Sequence, residues 1–84
     1  MIELDRSRPL WPQVAAIIRE RIEKGEYAAG ERIPPVLALV DEFGVTQVTV
    51  RKAIKALRDD HWIRTEIGMG SYVLTAEERE AFSE

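Results

Sequence analysis

The sequence predicts an α+β domain, mainly helical, with three helices leading into a β wing of two or three strands. Three observations carry this. Residues 10–24, 36–43 and 45–58 each place apolar side chains at i, i+3, i+4 and i+7, the period of a helix with one buried face. From Trp62 to Leu74 β-prone residues flank Ile67-Gly68-Met69-Gly70, the composition of a hairpin. Pro9, Gly25, Pro34-Pro35 and Gly44 mark the joints between elements.

Residues 1–9 read as an extended lead-in, ended by Pro9, which disfavours helix in the residue before it. From Leu10 to about Lys24 the apolar face is Leu10, Val14, Ile17, Ile18 and Ile22, widened by Trp11 and Ala15. Pro12 is tolerated in the first turn, where its missing N–H has no partner to lose. Gly25 ends that helix. The segment 27–33 is too short and glycine-rich for a helix and predicts a turn followed by a short strand at Arg32-Ile33. Pro35 to Phe43 forms a short helix with Val36, Leu39, Val40 and Phe43 inward and Leu37 off the stripe.

Gly44 supplies the left-handed residue that stops this helix, and Thr46 caps the next one. In that third helix Val50, Ala53, Ile54 and Leu57 face the core. Gln47, Arg51, Lys55 and Arg58 line the opposite side with Lys52 beside them, a basic face suited to a polyanion. Strands are expected at Trp62–Glu66 and Ser71–Leu74, and Thr75-Ala76-Glu77-Glu78 fits a capping box that opens a last helix running toward Phe82. Helix, glycine turn, capped basic helix and hairpin together make a winged helix-turn-helix.

The 84 residues, 45% of them hydrophobic, support one small core and one domain, 1–74, with 75–84 as the start of a C-terminal helix or linker. The absence of cysteine excludes disulfides, thiolate metal sites and a catalytic thiol, and fits a reducing cytoplasm. No apolar run approaches a membrane span, and the start Met-Ile-Glu-Leu-Asp-Arg is too charged for a secretory signal. His61 is the only histidine and cannot make a metal site alone, and with no cysteine and no Ser-His-Asp or His-x-x-x-His spacing there is no catalytic constellation. No enzyme activity, cofactor or membrane partner is expected.

The net charge of −3 runs against nucleic-acid binding, but its distribution does not. Arg51, Lys52, Lys55, Arg58 and Arg64 against Asp59 and Asp60 leave residues 46–64 at +3, while the acidic tail 65–84 sits at −4. A basic patch on an otherwise acidic molecule can still bind DNA, with weaker and more salt-sensitive binding expected than from a basic domain.

The chain resembles the DNA-binding domain of the GntR family of bacterial transcription regulators. The resemblance covers Pro9 to Val73: Pro-Leu-Trp-Pro-Gln-Val-Ala at 9–15, Ala-Gly-Glu-Arg-Ile-Pro at 29–34, Phe-Gly-Val-Thr-Gln-Val-Thr-Val-Arg-Lys-Ala-Ile at 43–54, and the wing Gly-Met-Gly-Ser-Tyr-Val at 68–73. It implies phosphate contacts at Thr46 and Thr49 and a guanine-reading arginine at Arg51. The pattern is departed from at Pro35-Val36-Leu37, where Ser-Glu-Arg is usual, at Gln47, where arginine is common, at Met69, in place of a wing cation, and at His61, where glycine normally closes the recognition helix.

The expected DNA-binding set is Thr46, Gln47, Thr49, Arg51, Lys52, Lys55, Arg64, Gly68, Met69 and Gly70. Against it stand plainer readings. The basic residues also suit a solvated helix face, Thr46 a cap, Gln47 a surface amide, Arg64 an exposed strand residue, and the two glycines a turn. Trp11, Trp62, Tyr72 and Phe43 are expected in the core. The function expected is a sequence-specific DNA-binding regulator, a repressor, acting as a homodimer on a palindromic operator in the cytoplasm. The family's C-terminal effector-binding or dimerisation domain has almost no room in this chain. The alternative is a winged-helix module that binds a partner regulator through Val36, Leu37 and Met69.

Overall fold

The apolar stripes fold as their periods dictate. The protein, analysed as a computed structural model, is described over residues 2–82; Met1 and the last two residues of the expected tail, Ser83 and Glu84, lie outside the described residues. In chain order it forms α1 (Leu10–Glu23), α2 (Val36–Phe43), α3 (Gln47–Asp59), β1 (Ile63–Glu66), β2 (Gly70–Val73) and α4 (Ala76–Glu80). Both α1 and α2 pack on α3, whose Val50, Ala53 and Leu57 are buried against Val14, Ile18, Leu39 and Phe43. Ile33, Ile63 and Val73 close the same core from the strands. Each such large aliphatic or aromatic side chain contributes about 1.5–3 kcal/mol by leaving water. Among the described residues no polar or charged side chain is buried, so this core has no desolvated polar group to satisfy.

Caps fix the helix ends. Gly25, at φ +83°, stops α1, and the Glu26 N–H donates to the Arg21 carbonyl at 2.9 Å. Gly44, at φ +65°, does the same for α2, with Val45 N–H donating back to the Val40 carbonyl at 3.3 Å. A bidentate pair, Arg21 to Glu42 at 2.9 Å through both nitrogens, fastens α1 to α2. The Glu42 carboxylate pushes the Arg21 guanidinium further above its usual range, and Tyr27 Oη accepts from the same Arg21 nitrogen at 2.6 Å.

The lead-in is not simply extended. Arg8 N–H donates to the Asp5 carbonyl at 3.2 Å to make a turn, and the Gln13 amide holds both polar backbone groups of Asp5, at 2.7 and 2.8 Å. Arg6 then reaches across to donate to the carbonyl of Gly44 at 3.1 Å.

The hairpin pairs Ile63 with Val73, Arg64 with Tyr72, Thr65 with Ser71 and Glu66 with Gly70. The strand expected at Arg32-Ile33 is present as a single bridge, Arg32 to Tyr72, reinforced by Ile33 N–H to Ser71 at 2.9 Å and Val73 N–H to Glu31 at 2.8 Å. Trp62, expected inside β1, falls just before it because the chain is still turning out of α3. That turn is made by His61 at φ +61°, a left-handed conformation that costs a residue with Cβ roughly 1–2 kcal/mol.

The capping box of α4 forms as the sequence predicts. Thr75 Oγ1 accepts from Glu78 N–H at 3.2 Å and Glu78 Oε1 accepts from Thr75 N–H at 3.0 Å. Two ring contacts hold the tail back on the domain: Arg79 lies over the Trp62 ring at 4.0 Å, and Phe82 stacks on His61 at 4.1 Å. Of the four aromatics expected in the core, Phe43 is fully buried and Trp62 and Tyr72 are half-buried. Trp11 is 37% exposed, lining an open pocket with Lys52, Lys55, Ala56 and Asp59 of α3 rather than entering the core.

Candidate nucleic-acid interface

The outward face of α3 is built from its first turn. Thr46 Oγ1 accepts from the Thr49 N–H at 3.3 Å, so the predicted cap forms, and it donates to Thr49 Oγ1 at 3.1 Å. One turn on, Arg51 projects into solvent with its Nη2 at 3.5 Å from Gln47 Oε1, the outer limit of a hydrogen bond. Among the described residues Arg51 has no acidic partner.

The other cations differ in how far they are engaged. Lys52 is exposed with no ion pair among the described residues. Lys55 is held by Asp59 at 2.8 Å, and that ammonium pulls the Asp59 carboxyl below its ordinary range. Arg58 donates to Thr65 Oγ1 at 3.4 Å, linking α3 to β1.

Arg64 is the most heavily committed of the expected contacts. Its Nη1 pairs with Glu66, its Nε lies 3.1 Å from Glu78 Oε2 as a charge contact that makes no hydrogen bond, and its guanidinium covers the Tyr72 ring at 4.9 Å. An exposed phosphate contact therefore has to compete with two carboxylates.

Between α3 and the hairpin runs an open cleft of about 460 Å³. Arg51, Lys55 and Arg58 form one wall, the wing from Thr65 to Gly68 the other, and Val36 and Ile54 its apolar floor. Gly68 has φ +77° with open space where a Cβ would stand, so the turn alone requires glycine there. Gly70, at φ +111°, is required by its backbone too, and a Cβ there would push aside the flexible Arg32 side chain, whose Nε it would meet at 2.8 Å. Met69 is 59% exposed and Ile67 wholly exposed at the tip.

The structure thus brings Thr46, Gln47, Thr49, Arg51, Lys52 and Lys55 onto one helix and sets Gly68, Met69 and Gly70 beside it. Arg64 lies behind, at the wing base. Arg58 and Ile67 also line the cleft, though neither was in the expected DNA-binding set, and Arg32 lies against Gly70 at the base of the tip. Arg58 was legible on the basic stripe, whereas Arg32 is placed only by its bridge to Tyr72. The apolar patch expected from Val36, Leu37 and Met69 is broken up, because Val36 is half-buried against the core while Leu37 stays 63% exposed. No group of side chains among the described residues could hold a metal ion, and no helix among them is long and apolar enough to cross a membrane.

Comparison with known proteins matches residues 10–73 to the sequence model for bacterial regulatory proteins of the gntR family. The mannosyl-D-glycerate transport/metabolism system repressor MngR of Escherichia coli strain K12 is 43% identical over 66 residues, 79% of this chain and 28% of that protein. The Exu regulon transcriptional regulator of the same strain is 33% identical over 78 residues, 93% of this chain and 30% of that protein. The chain thus spans less than a third of the length of these curated relatives. Among solved structures, a GntR family transcriptional regulator from Listeria monocytogenes superposes with a TM-score of 0.84 at 29% identity, over 90% of this chain and 67% of that one. AraR(DBD) in complex with operator ORE1 superposes with a TM-score of 0.76 at 32% identity, over 79% of this chain and 80% of that one.

Proposed function

This chain belongs to the gntR family of bacterial regulatory proteins, and from that premise we propose that it is the DNA-binding domain of a transcription repressor. The observation that carries the reading is the Arg51 guanidinium, without an acidic partner among the described residues, standing on a capped helix beside an open cleft whose other wall is the wing.

In this mechanism α3 enters the major groove N-terminus first. The Thr46 and Thr49 hydroxyls meet a phosphate, favoured there by the positive end of the helix dipole. Arg51 donates to guanine O6 and N7, and Gln47 braces that guanidinium or pairs with adenine. Lys52 and Lys55 neutralise flanking phosphates, Lys55 by exchanging Asp59 for one. The tip Gly68-Met69-Gly70 lies in the adjacent minor groove, and Arg64 reaches a phosphate only when released by Glu66 and Glu78. A single domain buries too little surface for tight specific binding, so two copies sit on a palindromic operator. Residues 1–74 are the DNA-binding unit and 75–84 lead out of it. The solved complex of AraR(DBD) with operator supports DNA as the partner.

The test is selection of bound duplexes from a random pool, followed by mobility shift against salt. A recovered palindromic half-site supports the reading, as does a complex weakened by about 1–3 kcal/mol on Arg51→Ala. No complex at low salt rejects it. A recovered motif indifferent to Arg51→Lys rejects Arg51 as its reader.

A further inference from the structure

We infer that the wing tip is an apolar wedge: Ile67 and Met69 enter a base step from the minor groove and bend the duplex. This rests on the DNA-binding reading above and adds to it a deformation of the DNA.

Single exposed apolar residues are ordinary on protein surfaces. Here two stand together at the apex of a hairpin, Ile67 wholly exposed and Met69 59% exposed, with open space around the glycine between them. The apex borders the cleft walled by Arg51, Lys55 and Arg58, so whatever polyanion those cations hold is brought against it. The wing itself has little to offer a phosphate. Residues 63–73 contain one acid, Glu66, and one base, Arg64, and these two are paired with each other. A neutral tip gains by leaving water, and in a DNA groove the apolar place to go is between stacked bases. Ile and Met are among the side chains that wedge base steps open, kinking the duplex by about 20–90° toward the major groove.

A wedge has to be stiff, and this one is braced. The Met69 N–H closes the tip onto the Glu66 carbonyl at 3.0 Å, Ile33 N–H holds the Ser71 carbonyl at 2.9 Å, and Arg58 reaches Thr65 at 3.4 Å. Pyrimidine–purine steps unstack most readily, so a TA or CA step is the preferred entry point.

The experiment uses the full chain and a duplex recovered from random-pool selection, labelled at its ends for energy transfer. The wild-type complex is expected to shorten the end-to-end distance, and the selected duplexes to carry a TA or CA step under the wing. Ile67→Ser with Met69→Ser, both at exposed positions, is expected to bind roughly tenfold more weakly, since apolar burial is lost. It should leave the duplex straight and keep the slope of affinity against salt, because no cation is removed. A bound wild-type complex with straight DNA, or a double variant that keeps the full bend, overturns the wedge and leaves DNA binding standing. If no duplex forms a complex at all, the DNA-binding reading falls and takes the wedge with it.

Discussion

Arg64 on β1 and Glu78 in the first turn of α4 face each other across 3.1 Å, tying the base of the wing to the C-terminal helix. The same carboxylate completes the capping box of α4, so one residue serves the tail and the wing together. Glu78→Gln keeps an N3 side chain able to cap but deletes the charge. Combined with Glu66→Gln, which removes the other carboxylate holding Arg64, we expect it to release Arg64 toward DNA, raising affinity and steepening the salt slope by about one. Titration of a fixed duplex at several salt concentrations checks this, and an unchanged slope sinks the competition argument.

The acid limb of stability follows from the same residue. Hydrogen bonding to the Thr75 N–H, then to its hydroxyl, and the nearby Arg64 charge hold the Glu78 carboxyl below its ordinary 4.5. A lowered folded value means that Glu78 stabilises the fold fully above about 4.5, and that this contribution fades as pH falls through the lowered value. We expect the Thr75 and Glu78 amide resonances to shift together over that window in wild type. Glu78→Gln should flatten both curves.

His61 adopts φ +61° where glycine would be at ease, yet its ring stacks on Phe82. Relief of the backbone, about 1 kcal/mol, and loss of the stack, about 0.5–1.5 kcal/mol, nearly cancel in His61→Gly. In a Phe82→Ala background only the relief remains. There His61→Gly should raise Tm by about 4–8 °C in thermal denaturation. If both backgrounds respond alike, the stack contributes nothing.

Thr46 lets helix stability be separated from DNA affinity. Thr46→Ala removes the bond from Thr49 N–H and should cost about 1 kcal/mol in urea denaturation. Thr46→Asp keeps a cap and favours the helix dipole, but sets an anion where a phosphate would lie. It should be at least as stable as wild type and bind duplex at least about tenfold more weakly, given the charge repulsion. Equal affinity would move the phosphate contact away from the helix start.

The helices were legible because their information is local. Val50, Ala53 and Leu57 declare a buried face by spacing alone, and Thr46 and Thr75 declare caps by identity and position. Arg64 was not legible in the same way. Whether it is free depends on Glu78, fourteen residues on, and on the path the chain takes through the hairpin. Trp11 failed for a related reason, since helical phase puts it on the side of α3 but cannot say how much of the ring that helix covers. Arg32-Ile33 lies between, as its β-prone residues were readable while the length of its pairing was set by β2.

Arg6 sits in a stretch that looks expendable, yet its guanidinium grips the carbonyl at Gly44, the pivot from which α3 departs. Anyone transplanting this recognition unit into a chimaera, or trimming its front for expression, would be loosening the hinge that aims it. The first eight residues belong in the graft.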